Sequence, residues 1–140
     1  VLPGAFPAYL ERALGLVAAE APVHFAAARD HLGALALVIR VAGSPPLRLF
    51  LGTGPPWTAP GSDGDVEAAL APGDLAALLA GELTIEEAVG CDRLSIRGEL
   101  DRVLPFLDAL GAWLHGALRS PSLPHLHRQY LAADDKGAWP

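Results

Sequence analysis

The stretch from Asp65 to Leu110, DVEAALAPGDLAALLAGELTIEEAVGCDRLSIRGELDRVLPFLDAL, decides the fold. Val66, Ala68 and Leu70 alternate with the outward Asp65 and Glu67. That is the period of a strand with one buried face. Pro72-Gly73-Asp74 opens a compact apolar helix over Leu75 to Ala80, and Gly81 stops it. Thr84-Ile85-Glu86-Glu87 reads as a capping box that starts a second short helix. Alternation returns over Asp92 to Arg97, with Leu94 and Ile96 set against Arg93, Ser95 and Arg97, and Gly98 breaks it. Val103, Phe106, Leu107, Leu110, Trp113, Leu114 and Ala117 then trace one continuous helical stripe. Pro105 has no amide hydrogen to donate, so the regular part of that helix is expected to begin close to it. No nucleophile elbow, metal-ligand set or phosphate cradle appears. A sheet and helices with facing apolar sides make an enclosure, which points to binding rather than chemistry.

Working outward, Leu10, Ala13, Leu14 and Val17 recur at helical spacing after Pro7, and Ala21-Pro22 ends that helix. A second helix is expected over Pro22 to Leu32, with Phe25 and Leu32 inward. From Leu35 the period becomes two. Leu35, Leu37, Ile39 and Val41 share a face, Gly43-Ser44-Pro45-Pro46 turns the chain, and Leu47, Leu49 and Leu51 alternate again. This is an antiparallel hairpin. Thr53 to Gly64, rich in glycine and proline around Trp57, reads as a surface loop and a candidate flap. The domain is expected to span 1–118, with N-terminal helices over 7–32 and the sheet with its helices over 35–118. The remainder, 119–140, is expected to be a tail that is partly ordered at most. Leu123, Leu126, Tyr130 and Leu131 offer it a weak amphipathic turn or short helix, fraying beyond Asp134.

Composition bounds the function. A chain of 140 residues can bury a real core. Hydrophobic residues make up 51 % and mean hydropathy is +0.32, much of it alanine and leucine. The formal charge of −6, with arginines scattered singly and Lys136 the only lysine, gives no electrostatic support for nucleic-acid binding or a polybasic membrane patch. The longest apolar run, Gly33 to Ile39, is far short of the roughly 18 residues of a membrane span. The opening VLPGAFPAYLERAL has no basic region ahead of an apolar one, so no secretory signal is expected within it. A single cysteine, Cys91, fits a reducing, cytoplasmic setting.

Polar residues offer few alternatives. His24 and His31 are seven apart, and His125 and His127 two apart, without acidic or cysteine partners at ligand spacing, so no metal is expected. Glu86-Glu87 belongs to the capping box and Asp134-Asp135 to the tail, so neither pair reads as a catalytic dyad. Arg40, Arg48, Arg93 and Arg97 fall on outward strand positions. They are expected to pair across strands with Asp65, Glu67 and Asp92, or else to meet an anionic headgroup or a partner protein.

The order of these elements resembles the sterol-carrier-protein type-two family of lipid-transfer domains. The resemblance rests on Ala71 to Leu75 at a helix start, on Leu75, Leu78, Leu79 and Gly81 in an L-x-x-L-L-x-G helix, and on Leu94, Ile96, Gly98 and Glu99 in a strand ending before the last helix. It covers about Leu35 to Leu114. The Pro/Gly loop around Trp57 and the proline-bearing tail depart from the pattern. The resemblance implies an α/β (α+β) fold: a mainly antiparallel sheet of five strands, covered on one face by helices with a hydrophobic tunnel between. It implies noncatalytic binding or transfer of a sterol, fatty acyl chain or isoprenoid, without a cofactor, with at most transient membrane contact. The residues that supply such a pocket are Leu37, Ile39, Leu49, Leu51, Trp57, Val66, Leu78, Leu94, Ile96, Phe106, Leu110 and Trp113. The Trp57 loop or the C-terminal segment would gate it. The alternative is an accessory module of a lipid or quinone biosynthetic complex, its groove taking a partner protein's helix.

Overall fold

The computed structural model describes residues 5–51 and 57–136. Helices α1 (Ala5–Glu20) and α2 (Pro22–Leu32) precede strands β1 (Leu37–Val41), β2 (Leu47–Phe50), β3 (Trp57–Pro60) and β4 (Val66–Leu70). Helices α3 (Pro72–Leu79) and α4 (Ile85–Gly90), strand β5 (Leu94–Gly98) and helices α5 (Leu100–Leu118) and α6 (Leu123–Lys136) complete the chain. The local rules that start and stop these elements are visible. Pro22 and Pro72 stand in first helical turns, where a missing amide hydrogen costs nothing. The Thr84 hydroxyl accepts the Glu87 amide proton at 3.1 Å and donates to the Glu87 carboxylate at 3.0 Å. Gly81 follows α3 with φ of +75°, a conformation that suits glycine.

The five strands lie in the order β3-β2-β1-β4-β5. Strands β1 and β4 run parallel and the other pairs antiparallel. Register aligns the apolar positions. Leu37 sits between Leu49 and Val66, Ile39 between Leu47 and Ala68, and Leu70 beside Leu94. These residues share the face over which α1, α2, α3 and α5 lie, and together they form one core. Arg40, Arg48, Glu67 and Arg97 occupy the other face by the same alternation.

Four features differ from the sequence expectation. Thr53 to Gly64 is not one loop: Trp57 to Pro60 form β3, an edge strand beside β2. An edge tolerates Pro60, which cannot donate to a neighbour. The carboxylate of Glu11 in α1 holds this edge, accepting from the Thr58 hydroxyl at 2.6 Å and its amide at 3.3 Å. Helix α5 begins at Leu100, not near Pro105, because the Glu99 carbonyl closes the first turn with the amides of Arg102 and Val103. The segment after 119 carries the 14-residue α6. The α6 side chains Leu123, Leu126 and Tyr130 are buried, and the helix packs on α1. Glu20 at the end of α1 secures its start, accepting from the Ser122 amide at 2.9 Å and hydroxyl at 2.6 Å. Finally, the arginines pair in part with other acids. Arg40 meets Glu67 as expected, but Arg93 meets Asp74 of α3 at 2.7 Å, and Asp65 is taken by Arg102 of α5 at 2.9 Å.

Gly116 sets how closely α5 approaches α1 and α2. A Cβ there would stand 2.8 Å from the His24 Cβ and 3.0 Å from a Val17 methyl. Backbone elements, not flexible side-chain ends, would have to separate. We expect Gly116→Val to destabilise the fold by about 1–3 kcal/mol, read as a lower urea midpoint at unchanged slope. An unaltered midpoint would show that this crossing is loose.

Candidate functional site

Between the sheet and its helical cover lies a cavity of about 120 Å³. The sheet supplies its floor: Leu37, Ile39, Leu49, Leu51, Ala68, Leu70 and Leu94. Helix α1 contributes Phe6, Tyr9, Leu10, Ala13 and Leu14, and α2 contributes Ala28 and Leu32. Leu75, Leu78 and Leu79 come from α3, and Phe106, Ala109, Leu110, Trp113 and Leu114 from α5. Every one is aliphatic or aromatic.

Small side chains explain the space. Ala13, Ala28, Ala68 and Ala109 face each other from three helices and a central strand, where larger residues would meet. Protein interiors are normally close-packed. At roughly 24 cal/mol per Å³, an unfilled cavity of this size costs on the order of 3 kcal/mol of stability. A space without polar walls does not attract water, yet a void of about 150 Å³ lined by such residues accepts benzene. The arrangement therefore favours an apolar guest.

Among the residues expected at a pocket, Leu37, Ile39, Leu49, Leu51, Leu78, Leu94, Phe106, Leu110 and Trp113 line this cavity. Val66 does not; it is buried in solid core. Ile96, on edge strand β5, packs partly buried against the core outside the cavity. The Trp57 side chain lies outside the described residues, as do residues 52–56 of the expected flap. Sequence reasoning omitted the α1 wall, although the spacing of Leu10, Ala13 and Leu14 already marked its inward stripe. Ala68 and Leu70 were legible as inward residues of their strand.

A polar seam lies behind the α1 wall. Tyr9 is fully buried and stacks on Tyr130 of α6 with ring centroids 4.3 Å apart. Its hydroxyl and His127 Nδ1 are 2.6 Å apart. Burial, reinforced by Tyr130, pushes the Tyr9 phenol well above its ordinary pKa, and burial holds the His127 imidazole below its own. Neutral partners are thus favoured, with the Tyr9 O–H donating to His127 Nδ1. Glu20 is held below the usual carboxylate range by the Ser122 hydroxyl and then by the Ser122 amide.

The other polar candidates are dispersed. Cys91 is exposed at the end of α4. His24 packs beside Gly116, and His125 is exposed on α6. Among the described residues no group of three His, Cys, Asp or Glu is placed to hold a metal ion. No helix among them is long and apolar enough to cross a membrane.

Comparison with solved structures identifies this architecture as that of sterol carrier protein 2. The UbiJ-SCP2 ubiquinone synthesis protein superposes with a TM-score of 0.59 at 20 % identity, over 82 % of this chain and 97 % of its own. A crystal structure of sterol carrier protein 2 gives 0.57 at 15 % identity, over 81 % and 96 %. The sterol carrier protein domain 2 of Helicoverpa armigera gives 0.51 at 14 % identity, over 62 % and 76 %. No protein-family model matches the chain, and no curated protein matches it in sequence. The shared property is the fold: five strands, mostly antiparallel with one parallel pair, under a helical cover.

The seam makes α6 sensitive to acid. The folded state disfavours a proton on His127 relative to the unfolded chain, so its stabilisation is complete above the unfolded pKa near 6.5 and is lost as pH falls below it. Glu20 acts in the same direction at lower pH: its stabilisation is present above 4.5 and is lost as pH falls through the depressed folded value. Urea unfolding should show stability falling from pH 7.5 to 5.5, and His127→Phe should flatten that slope. An equal slope in the variant would remove His127 as its source.

Proposed function

We propose that this chain is a noncatalytic carrier of an apolar ligand, which it holds between the sheet and its helical cover. The observation that carries this reading is a cavity of about 120 Å³ walled only by aliphatic and aromatic side chains from all the layers around it. Such walls recognise a guest by area removed from water. Burying ~400 Å² of a lipid tail at about 25 cal/mol per Å² yields on the order of 10 kcal/mol before association costs. Those costs take about half, which leaves on the order of 5 kcal/mol, a dissociation constant of some tenths of a millimolar, without any charged contact.

Size narrows the guest. The cavity as it stands accepts a ring or a segment of chain. A whole sterol or a long acyl chain requires α1 or α3 to move outward. Leu37, Leu49, Leu78, Phe106, Leu110 and Trp113 are proposed as the ligand contacts. The sterol-carrier fold at TM-scores of 0.57 and 0.59 supports a lipid-binding role.

A second reading is an accessory module of a lipid or quinone biosynthetic complex. Leu100 and Leu104, 72 % and 52 % exposed one turn apart on α5, favour it as an apolar ridge facing outward. Native mass spectrometry after gentle purification separates the two: a copurified lipid supports the carrier, and a stoichiometric protein with an empty interior supports the module.

Ala68→Leu tests the carrier directly. The added side chain grows from the cavity floor into empty space, so the variant is expected to keep or raise its melting temperature. Displacement of a fluorescent fatty-acyl probe should weaken at least tenfold. Unchanged probe affinity in the folded variant would place the binding elsewhere.

A further inference from the structure

Helix α5 carries two apolar stripes. The inward one, through Phe106, Leu110, Trp113 and Ala117, belongs to the core. The second runs along the flank of the helix through Leu100, Leu104, Leu107, Gly111 and Leu118, in steps of four, three, four and seven residues. That spacing keeps the five positions in one narrow sector, as in the seam of paired helices. None of the five lines the cavity. Leu100 is 72 % exposed, Leu104 52 % and Leu118 53 %, so the stripe faces water. A Cβ added at Gly111 would meet nothing within 4 Å, which leaves a hollow near the middle of the stripe where a partner's side chain fits. Helix α2 meets α5 on a different side, at Gly116.

Carboxylates rim this stripe. Glu99 and Asp101 stand at its start and Asp108 midway. Glu82 lies near its end, because a Cβ at the neighbouring Gly81 would stand 3.1 Å from a Leu118 methyl. All four are exposed, and none has an ion-pair partner among the described residues. The cations of α5 offset them little. Arg102 is taken by Asp65 at 2.9 Å, and Arg119 donates to the His115 carbonyl at 3.0 Å at the helix end, where His115 is also exposed.

We infer that the flank of α5 docks a basic amphipathic helix of a partner protein, whose apolar residues lie along Leu100, Leu104, Leu107 and Leu118 and whose lysines or arginines meet the acidic rim. This rests on the accessory reading above, for which it names the partner's chemistry. It leaves the carrier reading untouched, since the stripe lies outside the cavity. Charge decides the occupant. A second copy of this chain, paired antiparallel with Leu107 over Gly111, would bring Asp108 against its own counterpart near the dyad. Paired parallel, it would set every acid of α5 against itself, and like charges facing each other oppose association. An anionic lipid surface is repelled by the same four carboxylates. A helix with an apolar stripe and basic flanks satisfies both the stripe and its rim.

The test uses the full chain, ¹⁵N-labelled, and two synthetic helical peptides of about three heptads with leucine at the a and d positions. One carries lysine and arginine at the flanking positions, the other glutamate. At low ionic strength the basic peptide should bind about tenfold more tightly than the acidic one, with amide shifts concentrated between Gly98 and Arg119. Leu104→Ser, at an exposed position outside the core, should weaken the basic peptide about tenfold, and Leu100→Ser should act alike. Asp108→Lys should cut the preference for the basic peptide about fivefold. Equal affinity for the two peptides, or an unaltered Kd in both serine variants, overturns the inference. So does Leu104-dependent binding to vesicles of phosphatidylglycerol or phosphatidylcholine, or a dimer in sedimentation equilibrium that Leu104→Ser disperses. If neither peptide binds while native mass spectrometry finds a stoichiometric protein that Leu104→Ser loses, the basic helix is overturned and the accessory reading stands. If neither route finds a partner, both fall and the carrier reading is unaffected.

Discussion

Alternation along the strands creates the condition that everything else answers. It places Leu37, Ile39, Leu47, Leu49, Val66, Ala68 and Leu94 on one side of the sheet. That oily surface cannot face water without a large penalty. Helices α1, α2, α3 and α5 cover it, and their own apolar stripes are buried in return. How closely they cover it is set by a few small residues. Gly116 brings α5 against α1 and α2, whereas Ala13, Ala28, Ala68 and Ala109 leave the middle unfilled. Tight contact at the ends and space at the centre follow from the same choice of side-chain size.

The periphery is held by a different kind of interaction. Two carboxylates on α1 reach outward: Glu11 to Thr58 on the edge strand and Glu20 to Ser122 at the start of α6. Exposed polar contacts of this kind are individually modest. Their value is positional. They tie β3 and α6 to the helix that also supplies Phe6, Tyr9, Leu10, Ala13 and Leu14 to the cavity. Helix α1 is thus both a wall of the interior and the anchor of the segments around it, so displacement of α6 would loosen a wall.

Much of this was legible from residues with a period. The hairpin of β1 and β2, strands β4 and β5, and the helices from Pro22 and Pro72 follow from alternation, helical spacing and proline placement. The elements that escaped lack those signals. Strand β3 reads Trp-Thr-Ala-Pro, too short to show a period and set among prolines and glycines. Helix α6 was legible only as a weak amphipathic turn or short helix, because Leu123, Leu126 and Tyr130 stand among polar residues and pack on α1, which is distant in sequence. Pro105 misplaced the start of α5 because a single lost amide bond is outweighed by packing of the stripe it interrupts. Of the inward strand residues, Leu37, Ile39, Leu49, Leu51 and Leu94 line the cavity floor, and Val66 and Ile96 do not. The inward stripe of α1 was legible from its spacing, but that it faces the cavity depends on how distant helices approach, which no local pattern encodes.

The central claim is that the space between the layers receives an oily guest. Intermolecular nuclear Overhauser effects between protonated cyclohexane and the methyl groups of the protein test it most directly. The account predicts cross-peaks to Leu37 and Leu49 on the floor and to Leu78 and Leu110 in the cover, from one bound molecule. Cross-peaks confined to exposed Leu100, Leu104 and Leu118, with none from the interior, would contradict it.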